Sequence, residues 1–78
     1  NPNPALNDLT VNIKSNGDYK VELIIAHMTG ANLQQYSIDI VSGVNKVPLM
    51  VGSLQPGSYV VLVYYNGVPV SKALFQKL

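Results

Sequence analysis

The chain has no cysteine and no tryptophan, its basic residues are all lysine, and it carries one histidine and four acidic residues in 78. Each shortage excludes something. Without cysteine neither a disulfide framework nor a thiolate metal site can form. Small eukaryotic secreted domains usually depend on disulfides, so the composition favours a bacterial module if the chain is extracellular. Five lysines without arginine, scattered along a chain of net charge +1, do not make the clustered basic footprint that neutralises phosphates, and nucleic acid is excluded as a partner. The longest apolar run, Tyr59 to Tyr65, falls far short of the roughly 20 residues a membrane helix requires. Membrane insertion by a helix is therefore not expected. No basic start precedes an apolar stretch, so no signal peptide is read. The chain opens Asn1-Pro2 without an initiator methionine, which predicts a fragment of a longer precursor or a processed product.

Catalytic chemistry is equally scarce. His27 is the lone histidine. A triad drawn from Ser37, His27 and Asp39 has no support in spacing, and no Gly-x-Ser-x-Gly elbow is present. His27 reads as a partly exposed residue at the end of a strand. Asp8, Asp18, Glu22 and Asp39 are dispersed. They match neither the repeated oxygen ligands of a calcium loop nor a glycosidase carboxylate pair. Asp18 reads as a turn residue bonding its own nearby backbone. No cofactor or metal is expected, and an enzyme ranks last among the functional readings.

What is present is 47% hydrophobic residues arranged in strand periods. Burying apolar surface contributes about 25 cal/mol per Å², while ordering each residue costs roughly 1.5 kcal/mol. A single domain of this length therefore sits near balance and needs all of its core. Leu9, Val11 and Ile13 alternate with polar residues, as do Val21, Leu23 and Ile25, each set predicting a half-buried strand. Ser15-Asn16-Gly17-Asp18 is a turn. Asn32 to Ile40 predicts a third strand with Leu33, Tyr36, Ile38 and Ile40 inward. Val44 to Val51 predicts a fourth, which Pro48 confines to an edge or a bulge.

Leu54-Gln55-Pro56-Gly57 has proline and glycine where a type II turn wants them. In the strand that follows, Tyr59, Val61, Val63 and Tyr65 alternate with Val60, Leu62 and Tyr64. Both sets are apolar, which predicts a central strand. Asn66-Gly67 predicts a type I′ hairpin, and Val68, Val70, Leu74 and Leu78 close the sheet. Turns every 8 to 12 residues with no capped helical period predict an all-β antiparallel sandwich of six or seven strands without substantial helix. The five tyrosines, Tyr19, Tyr36, Tyr59, Tyr64 and Tyr65, read first as strand packing; Tyr64 or Tyr65 is the candidate for a sugar-stacking platform.

These residues, taken in order, resemble a known family. Asn1-Pro2-Asn3-Pro4-Ala5 followed by Leu9-Thr10-Val11 is similar to the opening of type A C-terminal sorting domains of the type IX secretion system, in which Pro2, Asn3 and Pro4 match the N-terminal motif. Val21-Glu22-Leu23 leading to Met28-Thr29-Gly30 resembles their second strand and turn. Leu54-Gln55-Pro56-Gly57-Ser58-Tyr59 matches their Leu-x-x-Gly-x-Tyr motif, and Lys72 and Lys77 fall where the family carries basic residues. The second turn departs from the pattern, with His27 where an acidic residue is common and Ala31 where a basic one is.

The resemblance spans essentially the whole chain. It implies a single Ig-like domain, residues 1–78, that addresses an N-terminal cargo protein for export across the outer membrane of Bacteroidetes-type bacteria. The partners it implies are the outer-membrane secretion translocon and a sortase-like peptidase. The location it implies is the periplasm in transit, then the cell surface or the exterior. Gly57, Tyr59, Lys72, Phe75, Lys77 and Leu78, in the hairpin that ends the chain, are the expected recognition residues, and a free sheet edge there also offers self-association. The alternative is an Ig-like or fibronectin-like accessory module that binds carbohydrate or protein.

Overall fold

A computed structural model describes residues 7–78, and among these it is all β. Six strands follow in chain order: β1 (Asp8–Ser15), β2 (Tyr19–His27), β3 (Asn32–Ile40), β4 (Gly43–Met50), β5 (Gly57–Tyr65) and β6 (Val68–Lys77). All pairings are antiparallel. β1 and β4 form a two-stranded sheet, and β3-β2-β5-β6 form a four-stranded one. The alternation read from the sequence is the cause of this arrangement. Leu9, Leu49 and Val47 point inward from the small sheet, and Val21, Leu23, Ile25, Val61 and Val63 from the large one, into one buried cluster. The motif Pro2-Asn3-Pro4 lies outside the described residues.

The turns follow local chemistry. Asn66 and Gly67 have φ of 52° and 78°, the left-handed pair that a type I′ hairpin requires and that these two residue types tolerate. His27 closes the β2–β3 turn: its carbonyl accepts from the Gly30 N–H at 2.8 Å, and its Nδ1 accepts from the Thr29 N–H at 3.2 Å. An imidazole nitrogen thus serves where a short acidic side chain would form an Asx-type turn. Asp18 differs from expectation. Instead of bonding within its own turn, Oδ1 accepts from the Ser42 N–H at 3.3 Å and ties the β1–β2 loop to the β3–β4 loop.

Two bulges reset the phase of strand alternation. On β3, Ile25 pairs Gln34 while Ala26 pairs Asn32, so Leu33 drops out of the ladder and lies exposed rather than inward. On β6, Val63 pairs Ser71 while Tyr64 pairs Pro69, leaving Val70 unpaired. Proline cannot donate to a ladder and is tolerated at an edge beside such a bulge. Beyond it the inward set is Ser71, Ala73, Phe75 and Lys77. Val68, Val70, Leu74 and Leu78, expected to close the sheet, are all exposed.

Candidate functional site

The terminal hairpin β5–β6 carries every site residue expected within the described part of the chain. β5 is central, hydrogen-bonded to β2 on one side and β6 on the other, and β6 is an edge. β5 begins after a loop in which the Leu54 N–H donates to the Val51 carbonyl at 3.0 Å. This replaces the expected type II turn at Leu54–Gly57. Gly57 has φ of +154°, away from the value near +80° of a type II turn. The Gln55 carbonyl accepts from the Tyr59 hydroxyl. A tyrosine at the start of a strand that bonds back to the backbone just upstream is the tyrosine corner of Ig-like sandwiches.

From that corner a row of rings crosses the large sheet. His27, Tyr59 and Phe75 occupy one register line over β2, β5 and β6. His27 meets Tyr59 edge-on with centroids 5.2 Å apart, and Tyr59 stacks on Phe75 at 5.5 Å. Tyr59 and Phe75 are 2% and 4% exposed, so both are core. A side chain at Gly57 would meet His27 Nε2 at 3.5 Å in a backbone conformation that disfavours any Cβ. Lys77 is also buried. Its Nζ donates to a main-chain oxygen of Leu78 at 2.9 Å, while its methylene stem lies against the protein, the usual way a lysine is covered.

The six expected recognition residues therefore divide. Gly57, Tyr59, Phe75 and Lys77 are held inside or against the domain. Lys72 and Leu78 stand in solvent, with Leu74 between them along β6. Tyr65 packs edge-to-face with Tyr19 at 5.2 Å, and Tyr64 is half-buried. His27 spends Nδ1 on Thr29, whose hydroxyl lies 2.9 Å away, and is not placed with Ser37 and Asp39 in any bonded set. Among the described residues no group of histidine and carboxylate side chains is placed to hold a metal ion.

The bulge that turns Phe75 and Lys77 inward escaped the sequence reading; Pro69 was the one signal for it. No curated protein and no solved structure shows a significant match to the chain. The sequence model of the family described as the secretion system C-terminal sorting domain matches residues 1–76. That match covers almost the whole chain, and the chain belongs to the C-terminal sorting domains of the type IX secretion system.

Proposed function

We propose that the chain is a non-catalytic export address, carried by an N-terminal cargo protein and read as a folded domain by the outer-membrane translocon. The observation that carries this reading is the position of β6. Among the described residues it is one of the two edges of the large sheet, with Lys72 on it and Leu78 just past it in solvent, on a strand locked from behind by Phe75 and Lys77. An edge strand is a template for pairing with a receptor. A buried anchor holds that template in one geometry without spending entropy on binding. Gly57 and Tyr59 serve by shaping the corner from which β5 starts, and Lys72 and Leu78 serve by contact. The cargo passes through the periplasm. A sortase-like peptidase then cuts before the domain, leaving the cargo at the surface or outside.

The test is export of a periplasmic reporter fused ahead of residues 1–78 in a bacterium with this secretion system. Retention of the reporter inside the cell would sink the reading. Deleting Ser71–Leu78 should abolish export, but it also removes Phe75 from the core. Lys72→Glu and Leu78→Asp are the cleaner probes, because both side chains are exposed and surface changes of this kind usually shift stability by no more than about 0.5 kcal/mol. Each is expected to reduce export severalfold while the thermal midpoint of the purified fusion stays put.

A further inference from the structure

Two Asn-Gly pairs occur in the chain, Asn16-Gly17 between β1 and β2 and Asn66-Gly67 between β5 and β6. A glycine after asparagine has no Cβ to keep its amide nitrogen from the asparagine side chain. That nitrogen can attack Cγ and close a five-membered imide. Both pairs have this chemistry in common, but the fold places them differently.

Asn66 is held away from reaction. Its φ of 52° and the 78° of Gly67 belong to a type I′ turn, whose first central residue has ψ of about +30°. With the Cα substituents about 120° apart, the Gly67 nitrogen then stands roughly 150° from Cβ about the Cα–C bond. Ring closure needs that torsion near zero. The hairpin, closed by the pairing of Tyr65 with Val68, would have to open first.

The setting of Asn16 is the opposite. Neither Asn16 nor Gly17 takes a positive φ, and several contacts meet on the two amides that would react. The Tyr19 hydroxyl donates to Asn16 Oδ1 at 3.0 Å. Such a donor is aimed at the oxygen that gains negative charge when a nitrogen attacks Cγ, as in an oxyanion hole. The Gly17 N–H donates to Ser15 Oγ at 3.3 Å, and that hydroxyl donates in turn to the Gly17 carbonyl at 2.7 Å. Ser15 thus holds the attacking amide from both ends. The Tyr19 side chain lies over Gly17, where a Cβ would meet its hydroxyl at 3.3 Å. Asn16 itself is exposed, so water reaches the site.

We propose that Asn16 is a self-modification site, at which the side chain cyclises onto Gly17 and opens to aspartate or isoaspartate with Tyr19 as the oxyanion donor. The Gly17 nitrogen forms a bond to Cγ and the Cγ–Nδ2 bond breaks. The proton given up by Gly17 leaves with that nitrogen as ammonia. One water then opens the imide at either carbonyl and restores the Gly17 N–H, and nothing is oxidised or reduced. The product places a new carboxylate in the loop that Asp18 ties to the Ser42 N–H.

The test is peptide mapping by mass spectrometry of the purified reporter fusion, incubated in mildly alkaline buffer, reading conversion of each asparagine to the acid. In the folded protein Asn16 is expected to convert about tenfold faster than Asn66, the advantage coming from orientation. In urea the two rates should converge. Tyr19→Phe keeps the ring beside Tyr65 and removes the donor. It is expected to slow Asn16 about fivefold, less than the loss of a buried oxyanion donor because this loop is open to water, and to leave Asn66 unchanged.

Conversion of Asn66 as fast as Asn16 in the folded protein overturns the proposal, as does an unchanged Asn16 rate in a folded Tyr19→Phe. A rate ratio that persists in urea overturns it in favour of the neighbouring sequence. If Tyr19→Phe lowers the thermal midpoint, Ser15→Ala decides, since it frees the Gly17 amide and spares the ring contact. An Asn16 rate in Ser15→Ala equal to that of the parent then overturns the proposal.

Discussion

Tyr59 shows how one side chain joins a turn to the core. Its ring is core and its hydroxyl bonds the Gln55 carbonyl, so it fixes both the entry of β5 and the floor under Phe75. Tyr59→Phe keeps the ring and loses the bond. The expected cost is about 1 kcal/mol, read as a lower urea midpoint with an unchanged m value. Phe75→Ala removes a stacked, buried ring and should cost about 3–5 kcal/mol, much of the stability of a domain this small. Loss of export in that variant would report unfolding. Lys77 teaches the complementary lesson. A lysine near the end of an edge strand reads as a solvent charge, yet here its stem is covered and its ammonium is tied to Leu78, because the strand changes phase at Val70.

At the scale of the element, the hairpins were legible and the bulges were not. Asn66-Gly67 predicts a left-handed pair from residue type alone, and the φ values of 52° and 78° agree. Gly67→Ala is expected to cost about 1 kcal/mol through that backbone strain, whereas Asn66→Gly should be nearly neutral in a thermal melt. β6 reads differently. Val68, Val70, Leu74 and Leu78 were expected to close the sheet, but the extra residue at Val70 sends Leu74 to 60% exposure and brings Phe75 in. A bulge reverses the faces of everything after it. Its cause lies partly in the partner strand, which the alternation of β6 cannot report. The type II turn expected at Leu54–Gly57 is likewise absent: Gly57 has φ of +154°, and Tyr59 reaches back to the Gln55 carbonyl.

Among the described residues the fold is a mixed-width sandwich in which β2 and β5 are each paired on both sides while the other four strands are edges. Amide exchange should therefore be slowest in β2 and β5 and faster in β1, β3, β4 and β6, since elements with fewer tertiary contacts open at lower free energy. Uniform protection across all six strands would contradict this. The sequence by itself determined the all-β class, a count of six or seven strands, the central position of β5 and the family, because alternation and turn chemistry are local and the motif order runs along the chain. Only the tertiary structure decided which strands share a sheet, that β1 and β6 are left as edges among the described residues, and that Phe75 and Lys77 turn into the domain while Lys72 and Leu78 stay exposed. Those outcomes depend on pairing between residues far apart in the chain and on two shifts of register, and neither leaves a period that can be read along one strand.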